Sequence, residues 1–208
     1  MYIIETGMVA QAVLNKHQQK SDATRRKLLA SARRIFARDG FEAARIEDIA
    51  AHAGHTRGAF YANFETKESL FLALLEQTVS EHISRLMTRL QCCASDQEKI
   101  AAVRSYYLER TCDQQWSMLM LEFKLFAVRH PRIRARLARA HREMRSSAKV
   151  EINALLSSAF PDGPQEAKRV SLEAALSGLV LQHAYDPESL PEDQLVATLG
   201  QIFDVVTR

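Results

Sequence analysis

The chain has 208 residues, 47% of them hydrophobic and 25% charged, and carries a formal net charge of +3. This composition is typical of a globular protein and excludes collagen-like and broadly disordered chains. Its three cysteines, two of them adjacent, imply no disulfide framework and favour a reducing, cytoplasmic location. The sequence has neither a run of about 18 apolar residues nor the pattern of a signal peptide, so we expect no spanning helix and no leader.

Few Gly and Pro and no sustained alternation of apolar and polar residues predict an all-α chain without strands. Thr56 and Thr66 are predicted N-caps. Ser21 or Asp22 can begin the first helix, and Gly40 can end it. We expect helices, in chain order, over 22–39, 46–53, 57–64, 66–90, 98–112, 115–129, 131–158, 164–184 and 191–206.

The charge is distributed unevenly along this helical chain. Residues 20–67 carry ten Lys or Arg against six Asp or Glu, and residues 124–149 carry nine against one. Residues 150–208 carry three against nine. Two basic zones indicate an anionic partner. The arginines of 131–149 mostly lie off its apolar stripe, which favours a solvated basic face over a second nucleic-acid surface.

Two short predicted helices, 46–53 and 57–64, are joined by a tripeptide that begins with Gly54. This arrangement predicts a helix-turn-helix, whose second helix enters the major groove of DNA with its N-terminal residues towards the base edges. Arg57 begins that helix and can bind guanine through two hydrogen bonds or reach a phosphate. Gly58 and Ala59 follow it and lack bulk, so the backbone can approach the groove closely.

Three further side chains suit contacts with DNA. Tyr61 and Asn63 carry hydrogen-bonding groups away from the apolar face of the second helix. Lys67 begins the next helix, where its own charge adds to that of a helix N-terminus. We therefore expect Lys67 to bind a phosphate.

These residues belong to a longer pattern. The stretch 24–72 resembles the DNA-binding domain of TetR/AcrR-type transcriptional regulators, and its segment 56–61 is similar to the multidrug-efflux repressors of that family. The matching residues are Phe36, Gly40, Phe41, Ile46, Asp48, Ile49, Ala50, Ala53, Gly54, Thr56, Arg57, Gly58, Phe60, Tyr61, Phe64, Lys67 and Leu70. The resemblance implies a three-helix DNA-binding domain over 21–67 and a larger helical ligand-binding and dimerisation domain over 68–208. Residues 1–20 are expected to form a flexible arm.

The resemblance also implies roles for individual residues. Base contacts fall to Arg57, Gly58 and Ala59, and phosphate contacts fall to Tyr61 and Lys67. Three positions depart from the family pattern: Arg45 replaces the usual Ser or Thr cap and can reach a phosphate, His55 replaces a usual Val, and Asn63 replaces a common His or Tyr. The expected DNA-binding residues are Arg45, Thr56, Arg57, Gly58, Ala59, Tyr61, Asn63 and Lys67.

The larger domain offers candidates for a ligand pocket. Met and aromatic side chains suit adaptable pockets for apolar ligands, although each of them can equally be a core residue. The candidate ligand-binding residues are Met87, Tyr107, Trp116, Met120, Phe123, Phe126 and His183.

The last two predicted helices each carry an apolar stripe. Two such helices from each of two chains can bury a shared core, and packing within one chain is the alternative. The candidate dimerisation residues are Leu172, Leu176, Gly178, Leu179, Val180, Leu199, Ile202, Phe203 and Val206.

The sequence therefore predicts a homodimeric, ligand-responsive regulator, a repressor that binds a palindromic operator and is released by a small apolar or aromatic effector. The alternatives are a ligand-independent DNA-binding accessory protein and a helical small-molecule-binding protein that no longer reads DNA sequence. No motif of a hydrolase or of a nucleotide-binding enzyme occurs, so we expect no enzyme, catalytic residue, metal or cofactor. A redox role of Cys92, Cys93 and Cys112 stays open.

Overall fold

The computed structural model describes the backbone of residues 2–156 and 166–207, and the side chains of 18–109, 113–143, 167–168 and 170–206. The described chain contains nine helices and no strand, which confirms the all-α prediction. The helices are α1 (Tyr2–Ala43), α2 (Ile46–His52), α3 (Arg57–Tyr61), α4 (Lys67–Gln91), α5 (Asp96–Cys112), α6 (Gln114–Arg129), α7 (Pro131–Leu156), α8 (Glu166–Tyr185) and α9 (Glu192–Thr207). Residues 157 and 158 of the predicted seventh helix, residues 164 and 165 of the predicted eighth helix and the side chain of Cys112 lie outside the described residues.

The first helix differs from its prediction. It begins at Tyr2 and not at the predicted Asp22, so the backbone of 2–20 is helical, and the arm expected over residues 1–20 stays a prediction. Residues 8–20 contain neither Gly nor Pro and are rich in Ala, Gln, Leu and Lys, which favour a helix. Ser21 and Asp22 consequently lie inside the helix and do not begin it. Near the other end, Gly40 has a φ of 77° and a ψ of 171°, a non-helical conformation open essentially to glycine alone, so it interrupts α1 directly after the predicted end at Asp39.

The third helix is shorter than predicted because of its own sequence. It ends at Tyr61, three residues before the expected end at Phe64. The side-chain amide of Asn63 donates a 2.8 Å hydrogen bond to the carbonyl of Ala59, the acceptor that the Asn63 backbone would use in a continuing helix. The Asn63 backbone N–H bonds the Phe60 carbonyl instead, at 2.9 Å.

The chain divides into two compact units, Met1–Leu75 and Glu76–Arg208. This boundary lies inside α4, eight residues after the predicted boundary at residue 67. The first turns of α4 belong to the first unit because Leu70 and Phe71 are fully buried there. Phe71 packs edge-on against Phe36 and Phe41, with ring centroids 5.7 and 5.3 Å apart. Each such aromatic pair stabilises a core by about 1 kcal/mol beyond the area it buries.

The core of the second unit joins the end of α4 to α5, α8 and α9. Its buried side chains are Leu86, Leu90, Val103, Leu172, Leu176, Leu195, Leu199 and Phe203. A partly exposed ion pair between Arg104 and Asp204, 3.0 Å long, lies between α5 and α9 beside Gly200. In the part of the chain that the structure describes, no helix has the length and apolarity needed to cross a membrane.

Candidate nucleic-acid interface

The turn between α2 and α3 is built from local signals. Gly54 adopts a φ of 73°, which a residue with a side chain rarely adopts. Its N–H bonds the carbonyl of Ala51, and the N–H of His55 bonds the carbonyl of Ala50, each at 2.9 Å. The side chain of Thr56 accepts a hydrogen bond from the N–H of Ala59, so the predicted N-cap is present. These contacts produce the helix-turn-helix geometry.

The core of the first unit holds α2 and α3 in place. Ile49 of α2 and Phe60 of α3 are both fully buried. The hydroxyl of buried Ser31 donates a 2.7 Å hydrogen bond to the Ile49 carbonyl. The same hydroxyl lies 3.0 Å from Nδ1 of His52, which must be the donor because the Ser31 proton is already used. The buried contacts therefore fix the position of α3, and its opposite side stays exposed.

Arg57 is held by two neighbours. Its Nη1 lies 2.9 Å from Oε1 of Glu47, and its Nη2 donates a 3.3 Å hydrogen bond to the Tyr61 hydroxyl. The guanidinium also lies 5.5 Å from the centroid of the Tyr61 ring. The hydrogen bond to Tyr61 and the charge of Glu47 raise the pKa of Arg57 above its ordinary value, so this exposed side chain keeps its charge.

Gly58 and Tyr61 complete the exposed side of α3. Tyr61 is 45% exposed, and Gly58 is exposed as well. A Cβ on Gly58 would contact only the Thr56 hydroxyl among its neighbours, at an ordinary 3.6 Å. Its φ lies outside the left-handed range, so neither space nor conformation within the chain requires glycine at this position. Ala59 is half-buried and points partly away from solvent.

Lys67 has structural contacts that the sequence did not predict. Its ammonium group donates hydrogen bonds of 2.8 and 3.0 Å to the carbonyls of Glu42 and Ala44, and it lies 5.0 Å from the centroid of the Phe41 ring. Burial lowers the pKa of Lys67 from its ordinary value. Two of its three N–H donors are used inside the protein, which leaves one for a phosphate. Its binding of a phosphate stays a prediction.

Asn63 and Arg45, two further predicted contacts, differ in their freedom. The Asn63 amide is engaged with Ala59, and its oxygen accepts a weak 3.4 Å bond from Ser21. Arg45 precedes α2 without a side-chain capping bond and is largely exposed, 4.0 Å from Glu47. The exposed side chain of Arg45 can therefore extend into solvent and reach a phosphate. The side chain of Asn63 instead bonds the last turn of α3.

Sequence reasoning missed two side chains of this region, Glu47 and Arg25. Glu47 contacts Arg57, as described above. Arg25 of α1 lies 4.3 Å above the Phe64 ring and donates a 3.3 Å bond to the Asn63 carbonyl. Both contacts join residues of different structural elements, so no spacing along the chain could reveal them.

The predicted ligand-binding residues are distributed over several helices of the second unit. Phe123 is buried, and the other six are half-buried. Structural contacts of these residues include Tyr107 on Phe203, with ring centroids 5.6 Å apart, and Phe126 on His130, with ring centroids 4.1 Å apart. Nδ1 of His183 lies 2.8 Å from the Leu190 carbonyl. A role of these seven residues in binding a ligand stays a prediction.

Five of the predicted dimerisation residues are buried within the single chain. Leu172, Leu176, Val180, Leu199 and Phe203 are each less than 5% exposed within the single chain. The apolar stripes of α8 and α9 therefore face the core of their own chain, and a contact of these five residues with a partner stays a prediction. Gly178 is exposed, and Leu179, Ile202 and Val206 are half-buried.

The basic helix α7 has an exposed arginine face, as the sequence predicted. Arg132, Arg136 and Arg139 recur along one side of it and are exposed, and Leu137 on the other side is buried. Arg139 lies 3.8 Å from Glu143. Exposure is compatible with a solvated face and with a nucleic-acid surface, so the solvated interpretation stays a prediction.

Two family profiles match the chain. Residues 28–74 match the bacterial regulatory proteins of the TetR family, and residues 97–206 match the C-terminal domain of BetI-type transcriptional repressors. The first match covers the helix-turn-helix and its supporting helices, and the second covers most of the second unit.

Curated relatives agree with these matches. The transcriptional repressor AcnR of Corynebacterium efficiens is 26% identical over 159 residues, which cover 76% of this chain and 80% of AcnR. The transcriptional activator FasR of Mycolicibacterium smegmatis is 29% identical over 102 residues, which cover 49% of this chain and 47% of FasR. The matched stretch thus spans less than half the length of FasR. These relatives are regulators and not enzymes, as the sequence predicted for this chain.

Solved structures show the same fold. FadR of Bacillus halodurans superimposes with a TM-score of 0.65 at 16% identity, covering 88% of this chain and 94% of FadR. FadR of Bacillus subtilis, in complex with stearoyl-CoA, gives 0.64 at 18% identity with coverage of 87% and 96%. A transcriptional regulator of Saccharomonospora viridis, in complex with choline, gives 0.65 at 21% identity with coverage of 86% and 95%.

Proposed function

Because the chain belongs to the TetR family of bacterial regulatory proteins, we propose that it is a cytoplasmic transcriptional repressor. In this proposal it binds a palindromic operator as a homodimer and releases the DNA when a small, largely apolar or aromatic effector binds. The BetI-type C-terminal match and the AcnR relative, both described as repressors, support repression over activation.

The exposed start of α3 is the observation that carries the DNA-binding part of the proposal. Arg57 and Tyr61 extend from it, and Gly58 lies between them without any internal need for a glycine. A missing side chain at an exposed helix start allows the backbone to approach a large partner closely. An arginine at the start of such a helix suits the paired acceptors of guanine in the major groove.

Selection from random duplex DNA tests this part. The purified protein is expected to enrich one palindromic sequence, and Arg57→Ala is expected to weaken binding to it by about 1–3 kcal/mol. Arg38→Ala is the matched control, since Arg38 is also an exposed arginine of the first unit and is paired with Asp39. Equal losses in the two variants, or no enriched sequence, would contradict the reading of DNA by α3.

Exposed apolar residues support dimerisation through a different face of α8 than the one predicted. Val170, Ala174, Gly178, Leu181 and Tyr185 recur every three or four residues and are all exposed, so they share one side of the helix. Val205 of α9 is 71% exposed. We propose that these side chains contact the partner, with Gly178 permitting a close approach of the two α8 helices.

Release by an effector follows from linkage. A ligand that prefers the form of the protein with low DNA affinity weakens operator binding by the ratio of its two affinities. The solved neighbours that hold stearoyl-CoA and choline support a small-molecule effector for this chain. Helix α4 runs continuously across the boundary of the two units, and we propose it as the element that transmits the change.

A titration of the operator complex with candidate ligands tests the release. Binding of the ligand to the protein is followed by the fluorescence of Trp116, the only tryptophan of the chain, and release of the DNA by anisotropy. An operator affinity that stays constant with every ligand that binds would contradict the proposal.

A further inference from the structure

Glu47 places a negative charge beside the start of the DNA-reading helix. Its Oε1 lies 2.9 Å from Nη1 of Arg57, and its Oε2 lies 4.0 Å from Nε of Arg45. Each carboxylate oxygen therefore faces a different arginine. A carboxylate at a surface that binds phosphates reduces the general attraction to DNA, so its presence requires an explanation.

The contacts of Arg57 supply that explanation. Oε1 of Glu47 lies within ion-pair distance of Nη1, and the Tyr61 hydroxyl accepts a hydrogen bond from Nη2, so each terminal nitrogen of the guanidinium has a neighbour that restrains it. The guanidinium has five N–H donors, so donors remain for the paired acceptors O6 and N7 of guanine. The two contacts thus orient the guanidinium of Arg57 for a base, and the carboxylate of Glu47 balances its charge.

From this arrangement we propose that Glu47 is a positioning residue that makes Arg57 a reader of base edges and not a general binder of phosphates. The inference rests on the proposed function, because it assumes that α3 reads DNA. A paired arginine adds little net charge, so it adds little to the counterion release that drives non-specific binding. Its hydrogen bonds to the neutral acceptors of guanine need orientation more than net charge.

Replacement of Glu47 separates these two effects. Glu47→Ala frees the charge of Arg57 and releases its orientation. Binding to a duplex without the operator is expected to tighten about two- to fivefold, as for the loss of an exposed ion pair, and its dependence on salt to steepen by about one ion. The ratio of operator to non-operator affinity is expected to fall about fivefold.

Glu47→Gln keeps the shape and an acceptor oxygen but removes the charge. It is expected to steepen the salt dependence as Glu47→Ala does while retaining most of the affinity ratio. Asp48→Ala is the matched control, since Asp48 is the adjacent exposed carboxylate in the first turn of the same helix. It removes the same charge, and its effect on the affinity ratio is expected to be absent. Thermal melts of all variants check the fold.

A double-mutant cycle with Arg57→Ala completes the test. In the Arg57→Ala background, Glu47→Ala is expected to leave the affinity ratio unchanged, because the residue that it positions is gone. An equal fall in both backgrounds, or the same fall in Asp48→Ala, would overturn the proposal. If Arg57→Ala alone leaves operator binding intact, the proposed reading of DNA by α3 is contradicted, independently of the role of Glu47. If no operator is enriched, an unchanged salt dependence of Glu47→Ala on random duplex DNA still overturns the charge-balancing role.

Discussion

The ammonium nitrogen of Lys67 lies 2.8 Å from the carbonyl oxygen of Glu42. With its second bond, to Ala44, it ties the start of α4 to the segment that follows Gly40. A side chain that the sequence assigned to DNA thus binds two backbone carbonyls of its own unit.

Lys67→Met is expected to lower the free energy of unfolding by about 1–3 kcal/mol, because the two carbonyls lose a charged donor. Urea denaturation followed by circular dichroism measures this change. Lys27→Met is the control, since Lys27 is an exposed lysine of α1. If the two variants are equally stable, the bonds of Lys67 contribute nothing to the free energy of unfolding. The binding of a phosphate would then be the one role left for Lys67.

His55→Val is expected to raise the free energy of unfolding by about 1 kcal/mol. Nε2 of His55 is buried and has no hydrogen-bond partner among the described residues, and such a group costs about 1–3 kcal/mol. His52→Ala provides the contrast, because the bond of His52 to Ser31 is lost and stability is expected to fall slightly. A loss of stability in His55→Val would mean that Nε2 has a partner in solution.

Gly200→Ala is expected to destabilise the second unit. A Cβ on Gly200 would overlap the guanidinium of Arg104, which is held by its ion pair with Asp204. Displacing that group costs the pair, about 0.2–1 kcal/mol for a partly exposed one, and disturbs the packing around it. In an Arg104→Ala background the same substitution is expected to be neutral or stabilising, since alanine favours a helix. Equal effects in both backgrounds would contradict the steric cause.

Leu181→Glu is expected to convert the proposed dimer into a monomer without unfolding it. Leu181 is 45% exposed and lies in the proposed dimer face of α8, so a charge there meets an apolar partner surface. Analytical ultracentrifugation gives the mass, and circular dichroism the helix content. Leu125→Glu is the control, because Leu125 is a similarly exposed leucine of α6. Retention of the dimer in Leu181→Glu would place the interface elsewhere.

The ion pair between Arg89 and Glu109 predicts a small dependence of stability on pH. The hydrogen bond from Arg89 lowers the pKa of Glu109 below its ordinary value of 4.5. A carboxylate whose pKa falls on folding stabilises the protein above that ordinary value and loses the effect as the pH falls through the lowered pKa. Glu109→Gln is therefore expected to be less stable than the parent chain at pH 7, by a few tenths of a kcal/mol for an exposed pair, and equally stable in strong acid.

The sequence predicts this fold well wherever its signals are local. Gly54 and the Thr56 cap fix the turn of the helix-turn-helix, and Pro131 begins α7 at the predicted residue. Each of these features depends on a few adjacent residues and on the backbone conformations that they allow. The sequence did not predict that α1 begins at Tyr2. Ser21 and Asp22 gave a clear signal for a helix start, whereas residues 8–20 indicate a helix only through the lack of a residue that stops one.

The site was predicted less completely, because its contacts join residues distant in sequence. The importance of Arg57 followed from its position at a helix start, but its partner Glu47 became apparent only once α2 and α3 were placed together. The dimerisation residues are hard to predict for the same reason. Leu176 and Leu181 are both apolar positions of α8, and only tertiary packing decides that the first is buried in its own chain and the second is exposed.

The central claim is that two copies place α3 in successive major grooves of one palindrome. Changing the distance between the two half-sites of the operator tests it. The affinity for the selected palindrome is compared with that for a version with about five base pairs, half a helical turn, inserted between its half-sites. The insertion rotates one half-site to the opposite side of the duplex. We expect it to reduce binding to the level of a single half-site, and an affinity unchanged by the insertion would contradict the account.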